Sequence, residues 1–257
     1  MDEILQKLVE IAQAAGSALG AMQREHLAQT YKSRGQLVTR ADLAAHALIE
    51  AELEWNFPGV ARVMEEQAND GLPLAPFFVV DELDGTIPFS RGMNEWAVML
   101  ARIDGRPTHG VIFLPAWQIV IAAQRGRGCW LNGAKLRLDS SRSLADAVLG
   151  LELNLYLTLE DQRRYVYRLS GQALSTRCLA CAGAGVAELL LGRTDLYVNC
   201  RGGKIWDFAA GALAVEEAGG AALRIDGAPI AWDSIEMDVL LAANTRMANE
   251  ALDVALG

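Results

Sequence analysis

One stretch constrains the fold of this chain more than any other. Four apolar residues, Phe77-Phe78-Val79-Val80, run directly into Asp81-Glu82-Leu83-Asp84-Gly85-Thr86. An aromatic and β-branched run of that length reads as a buried strand. Carboxylates are almost never buried without partners, so the strand must end where its acids find some. We expect the strand to stop at Asp81 and a tight turn to aim Asp81 and Asp84 into one space. A turn leaves backbone oxygens unpaired, and the Leu83 carbonyl joins the group. Oxygen donors at this density suit a hard divalent cation such as Mg²⁺. Without one, the carboxylates repel and raise each other's pKa. Gly85 permits close backbone approach. Gly85 and Thr86 then open a short helical turn, with Pro88 tolerated in its first turn and amides suited to a phosphate.

Around this stretch the pattern is mixed. Ile4, Leu8, Ile11, Ala15, Leu19 and Met22 recur at helical spacing over residues 3–26. Residues 27–37 are polar and irregular, which predicts a mobile loop around Lys32. A second helix is expected from Arg40 to Trp55, stopped by Asn56-Phe57-Pro58-Gly59. Ala61 to Met64 reads as a strand ending at Glu65-Glu66. Trp96–Ile103, Thr108–Leu114 and Gln118–Gln124 follow as further strands of an antiparallel meander. Beyond about residue 145 strands and helices alternate. Strands are expected at Ala147–Leu153, Asp195–Val198 and Val239–Ala242. Helices are expected at Thr158–Gly171, Ala182–Leu191, Trp206–Ala218 and Thr245–Leu256. Gly219-Gly220 is a helix stop. This change of character divides the chain into an N-terminal α+β part, 1–145, and a C-terminal α/β part, 146–257.

Composition narrows the function classes. With 257 residues and 52% apolar content, the chain can bury a large interior. Its formal net charge is −9 and no basic stripe interrupts it, which argues against a nucleic-acid polymer as partner. No run of roughly 18 apolar residues predicts a membrane span. The N-terminus does not read as a secretory signal. Four cysteines in a chain this long make no disulfide framework, and a reduced, cytoplasmic setting fits. Cys178 and Cys181 form a single Cys-x-x-Cys. A zinc site would want a second pair, so these read as incidental thiols.

Three further acids sit where chemistry would use them. Glu65 ends the strand before the acidic turn. Asp207 follows Trp206 at a helix start, and Asp42 follows Val38-Thr39-Arg40 at another. Read alone, Glu65 also fits surface decoration, Asp207 a first-turn acid complementing the helix dipole, and Asp42 a helix-start residue.

Taken together, four segments resemble the inositol monophosphatase family, within the lithium-sensitive, Mg²⁺-dependent phosphatases. They are Asp81-Glu82-Leu83-Asp84-Gly85-Thr86, Trp206-Asp207 running on to Glu217-Ala218-Gly219-Gly220, Met64-Glu65-Glu66, and Leu37-Val38-Thr39-Arg40-Ala41-Asp42. Their order and spacing match from about residue 5 to residue 255. The resemblance implies a mixed α+β and α/β fold, a layered αβαβα sandwich of the inositol monophosphatase and fructose-1,6-bisphosphatase type. It implies two or three Mg²⁺ ions, replaceable by Mn²⁺, on Glu65, Asp81, the Leu83 carbonyl, Asp84 and Asp207. It implies that Asp42, Glu65 and Thr86 handle the attacking water. Substrate contacts are then expected from Asp84, Gly85, Thr86, Ala182, Asn199 and Asp207. A homodimer is the usual assembly of such proteins.

The sequence also departs from the family pattern. Glu82 replaces the usual Pro, Ile87-Pro88 a usual Thr-Asn, and Met64 the usual Gly. Ala180-Cys181-Ala182 loses a hydroxyl, and Asn199 stands roughly where inositol-phosphate enzymes carry a Glu. Expected activity is therefore hydrolysis of an inositol, sugar or polyol monophosphate. A 3′-phosphoadenosine nucleotide, histidinol phosphate or fructose bisphosphate is the alternative substrate. A metal- or ligand-binding homologue without turnover is the alternative of another class.

Overall fold

The computed structural model describes residues 1–23, 29–33, 36–153 and 159–257, with backbone alone at 29–33 and 36–39. Helix α1 (Glu3–Met22) opens on Asp2, whose Oδ1 accepts from the Leu5 amide at 3.0 Å. That side chain satisfies one orphan donor of the first turn. Within the stretch 27–37, expected to be irregular, the described backbone instead pairs as strands, β1 (Gln29–Ser33) antiparallel to β2 (Gln36–Thr39). Its polar residues carry no alternation of apolar positions, the usual sign of a strand. The Lys32 side chain lies outside the described residues. Helix α2 (Arg40–Asn56) follows directly.

Next come β3 (Ala61–Met64), β4 (Phe77–Asp84), the short helix α3 (Thr86–Ser90), β5 (Ala97–Asp104) and β6 (Arg106–Leu114). The meander closes with β7 (Ile119–Gln124), β8 (Gly128–Leu131) and β9 (Ala134–Leu136). These seven strands form one sheet in chain order, β3 to β9. Only the β3–β4 pair is parallel.

The second half contains β10 (Val148–Glu152), α4 (Glu160–Gln172), β11 (Ser175–Arg177), α5 (Ala182–Leu190), β12 (Leu196–Lys204) and α6 (Ile205–Ala218). It ends with β13 (Ala221–Leu223), β14 (Glu236–Ala242) and α7 (Thr245–Leu256). Its sheet has the order β11-β10-β12-β14-β13. Gly219 closes α6 at a φ of 99°, as its sequence predicts.

Strand periodicity then builds the layers. Along β4, Phe78 and Val80 face one way and pack with Leu5, Leu8, Ile49 and Leu53 of α1 and α2. Phe77 and Val79 face the other way and join α5 and α6. Those two helices also cover Tyr197, Val239 and Leu241 of the smaller sheet. The outer face of that sheet, with Leu149, Val198 and Leu240, is covered by α4 and α7. The result is an αβαβα sandwich. Each fully buried aliphatic side chain stabilises it by about 1.5–3 kcal/mol. Helix α6 lies in the central layer, so a residue in its first turn sits between the two sheets.

Candidate active site

The parallel pairing of β3 with β4 sets Met64 opposite Val80, and the Glu65 amide donates to the Val80 carbonyl at 3.1 Å. Glu65 is thereby carried beside Asp81. The strand does not stop at Asp81, as the sequence suggests, but runs to Asp84. Asp81 pairs with Met99 and Asp84 with Ala97, so three steps along β4 match two along β5. This bulge holds one extra residue, which re-aims the side chains around it. Within it, Asp81 Oδ1 accepts from the Leu83 amide at 3.1 Å.

At the end of β4, Gly85 adopts a φ of 83°, in the left-handed region. A Cβ there would also lie 2.6 Å from the Glu95 carbonyl oxygen and 2.9 Å from Cys181 Cβ. Only glycine satisfies both restrictions. The turn delivers Thr86, whose Oγ1 lies 3.1 Å from Asp42 Oδ1 and 3.1 Å from the Leu83 carbonyl oxygen. Its single proton is shared between two acceptors. Asp42 and the Leu83–Thr86 turn, predicted from separate segments, are thus brought together.

Asp84 is held from the other side by the start of α5. Cys181 Sγ donates to Asp84 Oδ2 at 3.0 Å, and the Ala182 amide donates to Oδ1 at 3.1 Å. The Gly183 amide donates to Oδ2 as well. A Cβ at Gly183 would stand 3.0 Å from that same oxygen and 2.9 Å from Ala97 Cβ, so a small residue lets the helix come this close. Ala182, expected to contact substrate, therefore spends its amide on Asp84. Cys181 is buried and forms the cap of α5, with its sulfur accepting from the Ala184 amide at 3.3 Å. No role in this site was assigned to it from sequence.

Asp207 enters in the first turn of α6, where its Oδ2 accepts from the Lys204 amide at 2.8 Å. It also shares a hydrogen bond with Asp81. Burial pushes the Asp207 carboxyl up to about 7, and the Asp84 charge adds to this. Asp81 is driven well above the usual carboxylate range by burial, then by the charges of Glu65, Asp84 and Asp207. Asp84 is raised by burial, opposed by the donors from Cys181, Gly183 and Ala182. Carboxylates crowded into a desolvated space with so few donors form a set that a hard cation neutralises. The donor chemistry fits Mg²⁺.

Two polar groups, His46 and Glu152, escaped the sequence reading, and Glu82 was noted there only as a replacement of the usual Pro. Glu82 is buried, and its Oε1 accepts from His46 Nδ1 at 2.6 Å, which raises the imidazole pKa. His46 lies one turn after Asp42 on α2, so helical spacing was its available signal. Glu152 ends β10 and is pushed up to about 8 by burial, then by Asp84 and Asp207. An acid closing an apolar strand was the signal there. Asn199 sits on β12, a strand that continues to Lys204 rather than ending at Val198. Asn199 is 2% exposed and its Oδ1 has no hydrogen-bond partner among the described residues. It stands 3.2 Å from the Cβ position of Gly203. Across the sheet it pairs with Glu152.

Comparison with known proteins gives a consistent picture. The model of the inositol monophosphatase family matches residues 1–255. A protein named Nus factor SuhB from Pasteurella multocida is 30% identical over 98% of this chain and 96% of its own length. Inositol monophosphatase 2 of Solanum lycopersicum is 32% identical, covering 88% of this chain and 89% of its own. The crystal structure of extragenic suppressor protein suhB from Bartonella henselae superposes with a TM-score of 0.90 at 26% identity. That match covers 99% of this chain and 98% of the other.

Proposed function

We propose, because the chain belongs to the inositol monophosphatase family, that its carboxylate site hydrolyses the phosphate monoester of an inositol, sugar or similar polyol. Membership makes it a phosphoric monoester hydrolase acting on a small phosphorylated substrate. The observation that carries the finer reading is the convergence of Asp81, Asp84 and Asp207 on one desolvated space beside Glu65. Glu65, Asp81, the Leu83 carbonyl, Asp84 and Asp207 would hold two or three Mg²⁺ ions, with Mn²⁺ as a substitute. When bound, such ions neutralise phosphoryl oxygens and supply a nucleophile at neutral pH.

The chain's own residues do the rest. Thr86 Oγ1, donating to Asp42, accepts a hydrogen bond from the attacking water and passes its proton toward Asp42. Glu65 orients that water from the end of β3. Attack runs in line with the bond to the leaving alcohol, with no phosphoenzyme. The amides of Gly85 and Thr86 face the phosphate, and Asp207 faces the leaving group. We read the working form as a cytoplasmic homodimer.

The test is a panel of inositol, sugar, nucleotide, histidinol and bisphosphate esters, with and without Mg²⁺. We expect phosphate release from a polyol ester that requires Mg²⁺ and disappears in Asp207→Asn. Relatives named Nus factor support a second reading, a role through binding without turnover. An inert wild type across the whole panel would favour it. In neither reading does the chain cross a membrane by a helix: none among the described residues is long and apolar enough.

A further inference from the structure

Glu82 belongs to none of the roles assigned above, yet it is 0% exposed at the centre of the β4 bulge. A buried carboxylate is costly unless both oxygens are satisfied. Oε1 is satisfied by His46 Nδ1 at 2.6 Å and by the Glu66 amide at 3.4 Å. Oε2 is buried and has no hydrogen-bond partner among the described residues. In a regular strand, Asp81 and Glu82 would point to opposite faces. The extra residue of the bulge breaks that alternation. Glu65, Asp81 and Glu82 each present a carboxylate oxygen, and the three oxygens lie within 4.8 Å of one another. Oxygens bound to one Mg²⁺ at about 2.1 Å stand roughly 3 Å apart when adjacent and about 4.2 Å apart when opposite. All three separations are bounded by 4.8 Å, the scale of one coordination sphere.

We propose that Glu82 supplies a third side-chain carboxylate to the cation site of Glu65 and Asp81, with His46 as its positioning residue. This deepens the hydrolytic reading and rests on its carboxylate site. The family signature resembled by this segment has Pro at this position, which offers no donor. Here the site gains a negative charge and one oxygen. His46 engages Oε1 and leaves Oε2 to the cation. The chain then retains its first cation more tightly than a Pro-bearing site would, before any phosphate arrives.

The experiment measures Mn²⁺ binding to the chelator-stripped protein by the loss of the free-ion electron paramagnetic resonance signal. Glu82→Gln keeps the volume and removes the charge. We expect its tightest site to weaken by about tenfold or more. Glu50→Gln changes an exposed acid 3.8 Å from the other nitrogen of His46 and controls for through-space charge. It should stay within about twofold of wild type. Asp81→Asn should abolish tight binding. Wild-type affinity in folded Glu82→Gln, with binding lost in Asp81→Asn, overturns the role of Glu82 and leaves the cation site standing. A wild type that binds no Mn²⁺ overturns both. Should Glu82→Gln not fold, Glu82→Asp carries the test. It withdraws the oxygen by about one methylene, so unchanged affinity in that variant also overturns the proposal.

Discussion

The two ends of the carboxylate site are built on opposite plans. Asp84 is met by a thiol and two amides at the start of α5, so protein dipoles answer its charge before anything binds. Asp81 has one backbone donor and is surrounded by Glu65, Glu82 and Asp207. One end is positioned in advance, and the other stores repulsion. The difference teaches where a cation is needed: at the Asp81 end, where the described residues bring more carboxylates together than donors.

The strongest way to break the contrast is Asp81→Asn. Removing this acid should cut Mg²⁺-dependent phosphate release by about a thousandfold, equivalent to roughly 4 kcal/mol of lost transition-state stabilisation. The same variant should melt no lower than wild type in chelator, because it relieves repulsion. A marked fall in its chelator melting temperature would mean that the Asp81 end is compensated after all.

Gly183→Ala probes the other end. The added Cβ would press on Asp84 Oδ2 and Ala97, at 3.0 and 2.9 Å. We expect a loss of about 2 kcal/mol, or about 4–8 °C in melting temperature. Added Mg²⁺ should not restore it, since the damage lies in packing. Calorimetry with and without Mg²⁺ checks this, and full recovery with the ion would merge the two ends into one system.

The smallest effect is a pH dependence. Asp81 and Asp207 have raised pKa values in the fold, Asp207 to about 7. The folded chain therefore keeps protons that the unfolded chain has released by about pH 5. Stability present below the unfolded carboxylate range is lost as pH climbs through about 7. In chelator the melting temperature should fall by a few degrees between pH 5.5 and 8, and Mg²⁺ should flatten the slope. A slope unchanged in Asp207→Asn would assign it elsewhere.

Much of this was legible in the sequence, for identifiable reasons. Helix α1 declared itself through Leu8, Ile11, Ala15 and Leu19, whose 3.6-residue spacing survives into the core. The layered sandwich followed from the resemblance and stands in the order expected. The bulge was not legible. A row of acids looks like the end of a strand, and only the continued pairing with β5 shows otherwise. Glu82 was read only as a departure from the usual Pro, because a charge in a buried strand defies the usual distribution. The β1–β2 pairing was hidden by polar residues. Cys181 was counted as a lost hydroxyl, although its sulfur takes up hydrogen bonds to Asp84 and from Ala184.

Helix α6 carries Asp207 into the middle layer, and that location sets an order of events. While the chain emerges from the ribosome, the segment bearing Glu65, Asp81 and Asp84 is made long before the helix that completes the set. Until that helix docks, the early acids are relieved of one neighbour. The electrostatic cost of the finished site is thus met when α6 docks, in the same step that fills the layer between the two sheets.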